Sequence, residues 1–242
     1  MLDSGRIDNE IRHGRFIASK GEQVWNWSSP AGRLRWQRRV MLFRDLIGDQ
    51  DREVLELGCG TGLFTKELAV TKNRITAVDI SPELLEYAKT RVPFSNVVFR
   101  IENAYATSFV GESFDFVVGS SVLHHLEVEM AILEIYRLLR EGGRFMFTEP
   151  NMMNPQIALQ KNIPLLKKAL GDSPDETAFV RWRIRKTLES VGFKDVSAEP
   201  FDFLHPRTPT VLIPWISKIS RTLESFPIVR EIGGSLVLCG RK

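Results

Sequence analysis

From residue 53 onward, short apolar runs alternate with stretches of helical period. Val54-Leu55-Glu56-Leu57, Ile75-Thr76-Ala77-Val78, Val97-Val98-Phe99-Arg100-Ile101, Phe114-Asp115-Phe116-Val117-Val118 and Phe145-Met146-Phe147 have the length and composition of strands. Helical segments lie between them. One covers 63–70, and a second opens at Ser81-Pro82, with Ser as the N-cap, Pro at the first helical position, and Leu84, Leu85 and Ala88 facing inward. A third carries Ile132, Leu133, Ile135, Tyr136, Leu138 and Leu139 and is expected to stop at Gly142-Gly143. Strands alternating with helices of this length imply right-handed crossovers and a doubly wound α/β fold, its mainly parallel sheet covered on both faces.

The flanks are less regular. Residues 1–30 are mixed, with Trp25 and Trp27 just before the breaker Ser28-Ser29-Pro30, and 31–47 reads as a helix ending near Gly48. Several breakers (Asn154-Pro155, Pro164, Gly171, Pro174) predict an irregular or short-helical connection over 151–177. A helix over 178–191 closes at Gly192, and 194–200 and 235–240 read as strands. The intervening 201–234 is far longer than a hairpin needs, so it is an insertion. Within it Leu212, Trp215, Ile216, Ile219 and Leu223 recur at helical spacing, with Lys218 and Arg221 opposite. That pattern predicts an amphipathic helix, favoured as a lid or dimer face over a membrane-surface helix. The chain thus divides into an N-terminal helical cap (1–50), a core (51–150) and a C-terminal half (151–242), all of one domain.

At 242 residues, 43% hydrophobic and 26% charged, the composition is that of a globular chain able to build its own core. Its two cysteines, Cys59 and Cys239, stand too far apart in sequence for a disulfide framework, which points to a reducing, cytoplasmic setting. The opening MLDSGRIDNEIRHGR is too polar for a signal peptide, and no apolar run approaches the roughly 18 residues of a membrane span. The net charge of +3 is weak evidence for a polyanionic partner. Arg33, Arg35, Arg38 and Arg39 spread over more than one helix face, which favours solvated or structural roles over anion binding, and no nucleic-acid partner is expected.

The sharpest chemical signal is Glu56-Leu57-Gly58-Cys59-Gly60-Thr61-Gly62, between a buried strand and a helix. Its glycines allow a tight turn and close approach of a ligand. The dinucleotide fingerprint G-x-G-x-x-G fails in both registers, since Leu63 or Thr65 would stand at the third glycine, and no Gly-Lys-Ser/Thr follows for a P-loop. A carboxylate two residues before the first glycine disfavours pyrophosphate and suits a cation. Asp79, at the end of the second strand, can accept both hydroxyls of a ribose. The ligand called for is positively charged, carries a ribose and lacks a pyrophosphate. S-adenosylmethionine meets that description.

Over about 53–148 the sequence resembles the class I S-adenosylmethionine-dependent methyltransferases of the type 11/12 kind. VLELGCGTG looks like their first motif, ITAVDIS like their second, FDFVVGSSVLHHL like the fourth-strand motif, and LLREGGRFMF like the turn into the fifth strand. The resemblance implies a seven-stranded sheet with an antiparallel last strand, S-adenosylmethionine as cofactor and S-adenosylhomocysteine as product. It implies a cofactor site made of Glu56, Gly58, Cys59, Gly60, Thr61, Gly62, Asp79, Ile80, Asn103, Ala104 and Ser120, with Ile80 packing on the adenine. The usual acid near the adenine amino group is Asn103 here, after Glu102, and either could make that contact. The usual Pro-Gly-Gly turn is Glu141-Gly142-Gly143.

Methyl transfer at a sulfonium-activated carbon asks a protein chiefly for alignment and exclusion of water. A general base helps if the acceptor is a hydroxyl. Ligands in such sheets bind beyond the carboxyl ends of the strands, which makes His124 and His125 the catalytic candidates. Packing beneath the cofactor and hydrogen bonding of a loop are the competing roles for the pair. No metal is expected, because no carboxylate or cysteine stands at ligand spacing nearby. The acceptor is expected to be a small molecule, or one linked to a lipid or glycan, methylated at oxygen and enclosed by the Trp25–Trp27 segment, 151–154 and 201–234. An RNA or protein methyltransferase and a non-catalytic cofactor-binding module are the alternatives, and a monomer or homodimer is expected.

Overall fold

The structure, a computed structural model, describes residues 4–20, 26–170, 172–173 and 175–242; Trp25, Gly171 and Pro174 lie outside the described residues. The chain runs α1 (Ser4–Lys20), α2 (Pro30–Ile47), β1 (Glu53–Leu57), α3 (Leu63–Leu68), β2 (Arg74–Asp79), α4 (Pro82–Arg91), β3 (Val97–Ile101) and β4 (Phe114–Ser120). It continues through α5 (Val128–Leu138), β5 (Leu139–Pro150), α6 (Pro155–Asn162), α7 (Pro164–Leu170), α8 (Arg181–Val191), β6 (Lys194–Phe201), α9 (Ile213–Ser225) and β7 (Ser235–Arg241). The strands form one seven-stranded sheet in the order β3-β2-β1-β4-β5-β7-β6. β1 to β5 pair in parallel and β7 is antiparallel to both its neighbours. The strand order reverses between β1 and β4, and a crevice at such a switch point is where ligands bind.

Side-chain alternation along the central strands divides the core in two. Leu55, Leu57 and Val117 face α5 and α8, where Ile132, Ile135, Ile184 and Leu188 are buried. Val54, Val118 and Met146 face the other way, onto Phe43, Leu46 and Ile47 of α2 and Leu68 of α3. Ser29 caps α2, accepting from the Gly32 amide, and Ser81 caps α4, accepting from Leu84.

Two expectations need correction. Residues 1–30 are not merely mixed, because Ser4–Lys20 is a helix. The third core helix ends at Leu138 rather than at Gly142-Gly143. Lys242 explains the second. Gly142 donates to the Lys242 carbonyl, Lys242 donates to the Gly143 carbonyl, and the Lys242 ammonium reaches the Leu139 carbonyl. The glycines therefore lie in a bulged start of β5, with Gly142 at φ 77°.

The arginines of α2 are structural. Arg35 and Arg39 both bind Asp202 at the end of β6, Arg38 forms a fork with Glu224 of α9, and Arg39 also donates to the Ser235 hydroxyl. Arg33 donates to the Ser28 carbonyl. Burial lowers the Arg39 pKa to about 10, against the pull of Asp202.

Candidate active site

The loop from β1 to α3 uses its glycines in two ways. At Gly58, φ is 68° and a Cβ would fall 2.4 Å from Val122 after β4, so only glycine fits there. Gly62 begins α3 at φ 75°, and its Cβ would come within 3.0 Å of Ala88, so its role is the close packing of α3 on α4. Gly58, Cys59, Gly60 and Thr61 line a cleft above the β1–β4 switch point, and Gly62 does not. The Cys59 thiol is buried, which raises its pKa well above the ordinary thiol value.

Asp79 stands at the carboxyl end of β2 in the same cleft. Its two oxygens accept from the Gly60 amide and the Ser81 amide, each at 2.9 Å. Burial raises its pKa despite those bonds. A carboxylate offers about four lone-pair sites, more than these amides use, so acceptor capacity remains for a ribose hydroxyl. Glu56 is buried on the α3 side of the sheet, and its Oε2 has no hydrogen-bond partner. Burial pushes its carboxyl up to about 8, the Thr65 hydroxyl beside it pulls it partway back, and Asp79 adds to the rise. Glu56 is set one residue behind Leu57 of the cleft wall and does not line the cleft itself. Glu56, expected among the cofactor-binding residues, is therefore placed behind the cleft wall, while Asp79 keeps lone pairs open to the cleft of the kind that ribose hydroxyls need.

Ile80, Asn103, Ala104 and Ser120 also line the cleft, as expected. Glu102 lines it too, but its carboxylate is turned to the Ser108 amide and hydroxyl and to Arg100. Asn103 Oδ1 accepts from the Tyr105 amide alone, which leaves a lone pair for an adenine amino group. Ser120 shares a 2.8 Å hydrogen bond with Thr148, and Ser121 beside it sits at φ 58°.

The wall that sequence reasoning missed is α1. Arg6, Ile7, Glu10, His13, Gly14 and Ile17 close the cleft from above, joined by Trp27 and Phe64. Gly14 permits this, since a Cβ there would lie 2.6 Å from the Ser81 side chain at the start of α4. The spacing of Ile7, Glu10, Gly14 and Ile17 along one helix face was the available signal.

The two adjacent histidines take different places. His124 is buried and absent from the cleft wall, and its Nδ1 lies 2.7 Å from Glu149 at the end of β5. The same carboxylate accepts from the Val122 and Leu123 amides, which clamps the turn after β4. His125 does line the cleft, with Nδ1 3.0 Å from Glu10 Oε2 of α1. Burial alone would lower the His125 pKa, but Glu10 and Glu176 outweigh it and raise it. Burial lowers His124 and His13. Glu176, from the segment after α7, lies within 3.9 Å of all three imidazoles. Burial would raise its carboxyl, yet His125, His124 and Lys161 hold it down to about 2. His124, His125 and Glu176 are the one group among the described residues whose ligand atoms approach closely enough for a metal ion. The Glu176 oxygens are already held by Lys161 at 2.6 Å and the Ser173 amide at 2.7 Å. The group is thus a hydrogen-bonded ionic network as it stands.

Residues 55–147 match the family described as methyltransferase domain. A methyltransferase-like protein of Schizosaccharomyces pombe is 30% identical over 66% of this chain, which spans 60% of that protein's length. A demethylmenaquinone methyltransferase of Tropheryma whipplei is 29% identical over 62% of the chain and 70% of its own length. Among solved structures, a Thermotoga maritima protein described as a possible histamine N-methyltransferase superposes with a TM-score of 0.70 at 18% identity, covering 95% of this chain and 99% of that one. Phosphoethanolamine N-methyltransferase 2 of Haemonchus contortus, solved with S-adenosylmethionine, gives a TM-score of 0.64 at 18% identity over 91% of this chain and 55% of its own. Residues 55–147 thus carry a methyltransferase domain, and the seven-stranded sheet has the strand order of the class I S-adenosylmethionine-dependent methyltransferase fold.

Proposed function

We propose that this protein methylates a hydroxyl of a small-molecule or lipid- or glycan-linked acceptor, with His125 as the general base. The observation that carries this reading is the single cleft that joins the ribose-accepting Asp79 at one end to the Glu10–His125 pair at the other. S-adenosylmethionine, when bound, supplies a methyl carbon activated by the adjacent sulfonium. Asp79, Asn103 and the glycine loop hold and orient it. His125 takes the proton of the acceptor hydroxyl as the oxygen–methyl bond forms, and S-adenosylhomocysteine leaves. Glu10 orients the imidazole and stabilises the imidazolium that results. Helix α1 excludes water from the cleft, which favours transfer over hydrolysis. His124 serves as a positioning residue through Glu149 and the turn that carries His125.

The test is a screen of metabolite and lipid extracts with methyl-labelled cofactor, followed by kinetics on the acceptor found. His125→Ala should lower turnover about 10²–10⁴-fold while leaving cofactor affinity unchanged. Turnover close to that of the unaltered protein, or an acceptor methylated at carbon or nitrogen, overturns the assignment.

A further inference from the structure

Two segments outside the cofactor core place apolar side chains in solvent. Helices α6 and α7 have no buried residue at all, and Leu165 is 77% exposed. Helix α9 buries Ile213 and Ser220 against the domain and turns Trp215 (69% exposed) and Ile219 outward, one helical turn apart and continuing the line of Val211. Apolar residues in solvent at this density need an occupant.

Charge identifies it. Residues 155–170 and 205–223 contain no aspartate or glutamate, yet hold Lys161, Lys167, Lys168, Arg207, Lys218 and Arg221. These six cations exceed the net charge of +3 of the whole chain, so the remainder is net acidic. Lys161 is drawn inward to Asp172 and Glu176, while Lys168, Arg207, Lys218 and Arg221 are exposed alongside the apolar positions. An apolar stripe with exposed cations, whose one carboxylate, Glu224 of α9, is held by Arg38, is complementary to an anionic lipid surface. A second copy of the chain is a poorer match, because a two-fold contact would set these like charges against one another.

Topology sets both segments on the side of the sheet where the cleft opens, though neither lines it. α6 follows the carboxyl end of β5 and the α9 segment follows the carboxyl end of β6, on the same sheet edge that carries the glycine loop and Asp79. The segments touch where Gln156 Nε2 meets His205 Nε2 at 2.9 Å. The Pro206 carbonyl accepts from Ser29, two residues from Trp27 of the cleft wall.

We propose that α6, α7 and α9 form a docking face for an anionic bilayer surface, holding the cleft at the membrane where a lipid-borne acceptor would be presented. Docking itself does not depend on methyl transfer; the orientation of the cleft rests on the function proposed above. Co-sedimentation without cofactor tests the docking, using vesicles of phosphatidylcholine with and without phosphatidylglycerol. Binding should be at least about tenfold tighter to the anionic vesicles and should weaken with salt. Trp215→Asp combined with Ile219→Asp should abolish it, and Lys168→Glu with Lys218→Glu should weaken it by more than about tenfold. Leu133→Asp, exposed on α5 away from this face, should leave it unchanged. If the Trp215 and Ile219 variant does not fold, the lysine variant decides alone. Binding indifferent to phosphatidylglycerol, binding retained in the variants, or sedimentation showing a dimer that Trp215→Asp dissociates would overturn the proposal. Calorimetry with S-adenosylmethionine on the same samples reads the cofactor site separately.

Discussion

The Glu10–His125 pair gives the site a titration behaviour that can be measured without knowing the acceptor. Nδ1 and Oε2 stand 3.0 Å apart, with 18% and 14% of the two side chains exposed. At that separation and an effective dielectric of about 20, the attraction is about 5.5 kcal/mol. Burial of the imidazolium opposes it, and Glu176 at 3.8 Å persists when Glu10 is removed. Glu10→Gln should therefore lower the His125 pKa, because the largest of the contributions that raise it is removed while burial stays. Gln keeps an oxygen for the Ser173 hydroxyl that Glu10 now accepts, so the packing of α1 is preserved. The assay is a histidine Cε1 NMR titration, and only four histidines need assignment. His125 should titrate above the ordinary value, while His13, His124 and His205 should titrate below it. The linkage to stability has a definite window. A raised His125 pKa stabilises the fold below about pH 6.5, and that contribution is lost as pH rises through the folded value. The Glu10 pKa is lowered although burial opposes it, because His125 holds the carboxylate ionised, so Glu10 contributes above about pH 4.5 and loses its contribution as pH falls through its folded value. The destabilisation by Glu10→Gln should thus be largest near pH 6 and shrink at alkaline pH. A His125 resonance at or below the ordinary value, or one unmoved by Glu10→Gln, would refute the pairing.

Asp79→Ala should weaken S-adenosylmethionine binding more than about tenfold, the loss of hydrogen bonds to an ionised acceptor, with circular dichroism unchanged; an unaltered dissociation constant would remove Asp79 from the ribose site. Glu56, pushed up to about 8 behind the cleft wall, is largely protonated at neutral pH, and a cation bound in the cleft would favour its ionisation across the wall, so cofactor binding should release a proton. Binding enthalpies that do not vary with the buffer's ionisation enthalpy would contradict this, and Glu56→Gln should abolish the variation. His124→Ala should cost about 2–3 kcal/mol by removing a hydrogen bond to the buried Glu149 carboxylate. For a chain of this size that is a fall in Tm of about 5–10 °C, and an unchanged Tm would show that the backbone amides alone satisfy Glu149.

The parallel core was legible because its central strands are buried on both faces and read as continuous apolar runs, as 54–57 does; the half-exposed edge strand Val97–Ile101 is found at the expected bounds because its β-branched residues still mark it. The glycine loop and Asp79 were legible because backbone geometry there demands particular residues, as Gly58 against Val122 illustrates. Helix α1 was not, because the face it turns to the cleft mixes Glu10 and His13 with Ile7 and Ile17, so its apolar period is sparse. The surroundings of the histidine pair escaped for a different reason. Glu10 and Glu176 reach His125 from segments remote in sequence, and no local spacing encodes that meeting. The Gly142-Gly143 stop failed because pairing with Lys242 outweighed the local signal for a helix end.

The central claim is that the cleft accepts a ribose joined to a cationic amino acid and rejects pyrophosphates. Calorimetric titration of the purified protein with S-adenosylmethionine, S-adenosylhomocysteine, NAD and ATP tests it most directly. The account predicts one site of micromolar affinity for the first two, and no heat of binding for NAD or ATP. Tight binding of NAD, or none of S-adenosylmethionine, would contradict it.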